Sequence, residues 1–291
     1  MTQIVIPALL LAGLFGATAS AADAKLAVVA AENFYGDIAR QIGGDRVEVV
    51  NIIENPDQDP HLFETTPSVA RALADARVVI FNGAEYDPWM PALLAAQPTT
   101  GRSAIVVADL IGKKAGDNPH LWYDPAAAPA LAGAVATEFA AADPEGTAGY
   151  AKRRDAFLAA WTAIRDRIAA IREKADGAPV TASESVFGYM AEALGLTMRN
   201  ERFQLSIMND TEPSARDLAA MEDDLRTGKV KAFVYNLQVT DPLTDRLLGI
   251  ARDAGVPVVG VTETLPAGLS FQDWMRRQID DLGEALGEPS S

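Results

Sequence analysis

The chain predicts an α/β protein of two lobes, each a mainly parallel sheet flanked by helices, joined by one long rigid helix. Three observations carry this. Short apolar runs alternate with amphipathic segments from Lys25 onward, residues 147–175 show one long helical repeat, and the alternation resumes beyond Gly177. Alternating strand and helix signals argue for parallel sheets covered by helices.

In the first lobe, residues 25–31 read as a strand and 33–42 as a helix closed by Gly43-Gly44. Residues 46–53 follow as a second strand. A polar, proline-containing loop over 54–66 carries His61. Helices are expected at 67–76, opened by Pro67, and at 88–96, with strands at 77–82 and 103–110. The loop after the last of these carries His120. Residues 125–142 form an alanine-rich helix that ends before Asp143-Pro144. Across 147–175 the apolar residues Phe157, Trp161, Ile164, Ile168 and Ile171 recur at spacings of three and four. A helix of that length spans about 40 Å, more than a small domain needs, so it is the expected connector. The second lobe predicts strands at 179–183, 196–203, 230–235 and 256–262. Its helices are expected at 186–194, 213–227 with Pro213 in the first turn, 241–254 and 271–286.

Residues 1–21 carry no charge, hold an apolar run from Ile4 to Phe15 and end in Ala19-Ser20-Ala21, a small-x-small cleavage pattern. The expected organisation is a signal peptide over 1–21, a first lobe over 22–146, the linking helix over 147–175 and a second lobe over 176–291, placing the chain in the periplasm. With no cysteine in the sequence, there is no lipid-modifiable thiol at the cleavage point, and neither disulfides nor thiolate metal sites can form. A net charge of −15 argues against nucleic acid or an anionic membrane surface as partner.

The chain has two histidines, and both sit in nearly the same words: Asp59-Pro60-His61-Leu62-Phe63 and Asn118-Pro119-His120-Leu121-Trp122. Proline fixes its own φ and pushes the preceding residue out of the helical region, so each imidazole stands on a stiffened, non-helical backbone. Imidazole is the commonest metal ligand; the alternative is a pair of turns with half-buried rings. Open α/β sheets bind ligands beyond the carboxyl ends of their strands. Glu184 and Glu263 each stand just past a predicted second-lobe strand. All four residues can therefore converge on a cleft between the lobes. Otherwise Glu184 is a helix first-turn carboxylate after Ser183, and Glu263 a solvated loop residue.

The stretches DPHLFETTPS, NGAEYDPWM, NPHLWYDP, ESVFGYMAEALGL, TEPSARDL and VPVVGVTETLP together resemble the zinc- and manganese-binding solute receptors of metal-importing ABC transporters (cluster 9, A-I). The resemblance covers the whole mature chain. It implies two α/β lobes on one long helix, capture of one divalent ion (Mn or Zn, Fe(II) possible) as transported ligand, a membrane permease as partner, a monomer, and no catalysis. It also implies metal ligation by His61, His120, Glu184 and Glu263. In the family the position of Glu184 is histidine in typical zinc receptors and glutamate in manganese receptors, while that of Glu263 is usually aspartate. Residues 102–118 lack the histidine-rich insert that zinc receptors often carry. Two imidazoles and two carboxylates lean toward Mn(II), although Zn(II) binds most nitrogen and oxygen sites more tightly. The competing functions are an exported metal-dependent enzyme built on two histidines and a carboxylate, and an adhesin-like or organic-solute receptor in which the histidines only shape turns.

Overall fold

The computed structural model describes residues 25–56, 63, 65–239 and 241–287. The expected signal segment and His61 lie outside the described residues.

The first sheet is built from β1 (Leu26–Glu32), β2 (Val47–Ile53), β3 (Val78–Phe81) and β4 (Ser103–Val106), all parallel, in the order β2-β1-β3-β4. Both faces of its central strands are covered: β3 is buried along its whole length, as expected for a sheet with helices on each side. Those helices are α1 (Asn33–Gly43), α2 (Pro67–Asp75), α3 (Trp89–Ala96), the single turn α4 (Val107–Leu110) and α5 (Ala127–Ala142). Pro67 stands at the first turn of α2, whose start is capped by the Thr66 side chain accepting from the Val69 amide. The expected strand over 103–110 is a strand only to Val106. Beyond it the chain coils into α4, with the Ala108 amide bonded to the Asn82 carbonyl rather than to a ladder.

α6 (Thr147–Ala175) follows, and one stripe of it is buried: Tyr150, Phe157, Trp161, Ile164, Ile168 and Ile171. It ends where Asp176 and Gly177 turn left-handed, the backbone state that closes many helices. Three arginines of α6 reach out to different parts of the molecule. Arg153 donates to the carbonyls of Ile42 and Gly43 at the end of α1 (2.6 and 2.8 Å), and Arg167 pairs with Asp280 at 2.7 Å. Arg172 donates to the carbonyls of Glu192 and Ala193 (3.0 and 2.8 Å).

The second sheet repeats the first in order: β5 (Pro179–Ala182), β6 (Thr197–Arg199), β7 (Phe233–Asn236) and β8 (Val258–Val261) run parallel as β6-β5-β7-β8. Its helices are α7 (Gly188–Ala193), α8 (Glu201–Met208), α9 (Ala215–Arg226), α10 (Pro242–Asp253) and α11 (Phe271–Ala285). Two expectations fail here. The run 196–203 is a three-residue strand that breaks at Asn200, which is left-handed (φ 61°). Its side chain accepts from the Thr181 hydroxyl and donates to Asp224, so Phe203 begins a helical face instead of extending the strand. Pro213 precedes α9 rather than opening it, because Ser214 caps the helix.

One apolar core runs through both sheets and α6. Aromatic rings cross the boundary between the lobes: Phe34 lies 5.8 Å from Trp274, and Tyr123 lies 4.9 Å from Phe187. Polar ties reinforce it, with Asn33 exchanging two hydrogen bonds with Leu265 and the single hydrogen of the Tyr123 hydroxyl shared between the Gln278 side-chain oxygen and the Thr262 carbonyl.

Candidate metal centre

In each sheet the strand order reverses between two central strands, β1 and β3 in one and β5 and β7 in the other, the places where such sheets bind ligands. Glu184 follows β5 and Asn236 ends β7. Glu263 stands just beyond β8, and His120 comes from the long loop after β4. His120, Glu184 and Glu263 are all buried, and each offers a donor atom within 4.8 Å of the others. His61, the fourth residue expected from the sequence, lies outside the described residues.

His120 follows Pro119 and opens a single helical turn with its own backbone non-helical. The Asn118 side-chain oxygen accepts from the His120 amide at 3.1 Å and faces the ring Nδ1 at 2.7 Å. In the neutral ring that metal ligation requires, that contact places the hydrogen on Nδ1 and leaves Nε2 with a lone pair. Nε2 is buried without a hydrogen bond, and the Glu263 Oε2 lies 3.5 Å away, too far for a good bond. Asn118 is itself fixed, donating to the Ser185 carbonyl at 2.7 Å and accepting at its own carbonyl from the Tyr189 hydroxyl.

Glu184 has an extended backbone, and its side chain makes no cap to the turn that follows. Its Oε2 instead accepts from Asn236 Nδ2 at 2.9 Å. The structure thus disposes of the first-turn alternative. Glu263 is no solvated loop residue either. Its Oε1 accepts from the same Asn236 nitrogen at 2.7 Å and its Oε2 from the Tyr86 hydroxyl at 3.1 Å. Burial pushes the Glu263 carboxyl up, but without a metal ion a positive charge on His120, with Asn236 and Tyr86 donating, outweighs it and holds the group below its ordinary range. Burial, followed by the negative charges of Glu263, Glu32 and Glu184, raises Tyr86 well above the usual phenol range, so it remains a donor.

Asn236, Tyr86, Gln238 and Asn118 complete the centre. Gln238 accepts from the amides of Glu263 and Thr264 and donates to the Pro56 carbonyl at 2.6 Å, tying the Glu263 loop to the segment after β2. Of these only Asn118, in the repeated Asx-Pro-His words, carried a signal of its own. Tyr86 lay within a stretch marked by resemblance alone. Asn236 is found by asking which polar residue of any charge ends a strand at the reversal point.

Residues 28–285 match the family model described as ZnuA, zinc-uptake complex component A periplasmic. The chain is 24% identical over 295 residues to the manganese ABC transporter substrate-binding lipoprotein PsaA of Streptococcus mitis, covering 92% of each. It is 23% identical over 295 residues to the iron ABC transporter substrate-binding lipoprotein MtsA of Streptococcus pyogenes serotype M1, covering 93% of this chain and 92% of that one. Among solved structures it resembles the periplasmic zinc binding protein TroA from Treponema pallidum, with a TM-score of 0.76 at 18% identity over 90% of this chain and 99% of that one.

Proposed function

Because the chain belongs to the ZnuA family of periplasmic zinc-uptake components, we propose that it captures one divalent metal ion outside the cytoplasm and delivers it to the permease of an ABC importer. The ion is cargo. Its ligands on this reading are His120 Nε2 and one oxygen each from Glu184 and Glu263, with His61 expected as the fourth.

The observation that carries the proposal is a buried, unbonded imidazole nitrogen facing two buried carboxylates. Carboxylates out of water need a compensating charge, and a divalent cation supplies it. Nitrogen and oxygen donors without thiolate suit Zn(II), Mn(II) and Fe(II), the three metals named for the relatives above. Carriage rather than catalysis accords with those names, since a catalytic metal needs a coordination position open to substrate. An adhesin-like role leaves the buried cluster without a purpose.

The test is titration of tag-free, metal-stripped protein with Zn(II), Mn(II) and Fe(II). One ion per chain is expected. At about a thousandfold excess over the dissociation constant, binding stabilises the fold by about 4 kcal/mol. Affinity falls on acidification, because an imidazole must be neutral to coordinate. Unfolding curves unmoved by all three ions overturn the proposal.

A further inference from the structure

We infer that Asn236 is a specificity-determining positioning residue, one that presents Glu184 and Glu263 to the ion through a single oxygen each and thereby favours Zn(II) over Mn(II). This deepens the function proposed above and rests on it.

The Asn236 amide nitrogen has two hydrogens, and both are committed: one to Glu184 Oε2 at 2.9 Å, the other to Glu263 Oε1 at 2.7 Å. Its orientation is set independently. The Gln238 amide donates to Asn236 Oδ1 at 3.0 Å, and the Asn236 backbone amide donates to the Ser183 hydroxyl at 3.0 Å. The flipped amide would put a carbonyl oxygen against two carboxylates. Asn236 is buried at the end of β7, with Glu184 and Glu263 buried beside it.

A carboxylate chelates an ion only by turning both oxygens toward it. For either glutamate that turn pulls one oxygen off Asn236, and for Glu263 it also disturbs the Tyr86 bond on the other oxygen. Hydrogen bonds to charged groups are the strong ones, so the single-oxygen mode is favoured. Three donors then come from His120, Glu184 and Glu263, and one further ligand completes the four that zinc takes. Manganese prefers an octahedral shell of hard oxygens, which these residues approach only if the glutamates chelate. The donor types in the sequence lean toward Mn(II); the way Asn236 holds them leans the other way.

The test pairs X-ray absorption spectra of the full chain loaded with Zn(II) or Mn(II) with competition titrations of the wild type, Asn236→Leu and Asn236→Thr. The expected wild-type zinc spectrum has about four donors and no chelating carboxylate. Both variants are expected to lower the Zn/Mn affinity ratio at least about tenfold, equivalent to ~1.4 kcal/mol, and to raise the metal's coordination number. A chelating carboxylate in the wild-type zinc spectrum overturns the inference whether or not the variants fold. So does an unchanged ratio in a folded variant. A wild-type chain that binds neither ion defeats the functional reading itself.

Discussion

Glu32→Gln should stabilise the metal-free protein at neutral pH and leave it unchanged in acid. Glu32 is the last residue of β1 and fully enclosed, and neither of its oxygens receives a hydrogen bond from an N–H or hydroxyl donor. What faces it is the carboxyl of Asp87, with the phenols of Tyr35 and Tyr86 nearby. Asp87 accepts from the amides of Asn82 (2.7 Å) and Gly83 (2.9 Å), which support its charge; burial nevertheless lifts it to about 6. Burial first, then Asp87, pushes Glu32 well above its ordinary 4.5. Of the two, Glu32 is the one on which a shared proton is favoured, because Asp87 has the amide donors to support its charge. A carboxyl raised in the folded state contributes stability that is complete below the unfolded value and is lost as pH rises toward the folded one. The loss is about 1.4 kcal/mol for each pH unit over which the folded group alone keeps its proton. Glutamine carries a permanent N–H donor for Asp87 and titrates nothing. Urea unfolding of both proteins in steps from about pH 4.5 to 8 should show equal stability at the acid end and a gap in the variant's favour that widens with pH. A gap independent of pH would falsify the shared-proton account.

His120→Ala should weaken metal binding at least about a hundredfold, ~3 kcal/mol, in a chain whose circular dichroism is unchanged; near-wild-type affinity sinks the ligand assignment. Glu184→His should move the Zn/Mn preference toward zinc by exchanging an anionic oxygen for a neutral nitrogen, whereas Glu263→Asp keeps the donor type and should alter affinity more than preference. Competition titration reads both, and an unmoved ratio in Glu184→His removes Glu184 from the ligand set. Tyr123→Phe strips the donor from the Gln278 side chain and the Thr262 carbonyl, so the urea midpoint should fall by the equivalent of ~1–3 kcal/mol. A midpoint unchanged within error would mean that those acceptors find other partners.

Strand and helix order was legible because each strand is a short apolar run bounded by turn residues, and because the α6 stripe repeats for several turns. His120 was legible from the repeated Asx-Pro-His words, and Glu184 and Glu263 because charged side chains just past a strand are few and the strand ends of a parallel sheet face the same way. The 196–203 stretch was misread since an apolar run of that length suits a strand or a helix, and the break at Asn200 depends on Thr181 and Asp224, far away in sequence. The clamp by Asn236 had no local signature at all. A neutral amide takes its meaning from what it touches, and its partners lie 52 and 27 residues away.

The three arginines of α6 bear on how such a carrier lets go of its cargo. Arg153 grips the end of α1 in one lobe, while Arg167 grips α11 and Arg172 the end of α7 in the other, and the aromatic rings between them belong to a common core. With each arginine tied to its own lobe, a hinge would have to bend α6 between Arg153 and Arg167 and wet those rings. For a carrier of this build, unloading through the loops around the ion disturbs less of the common core than swinging one lobe against the other would.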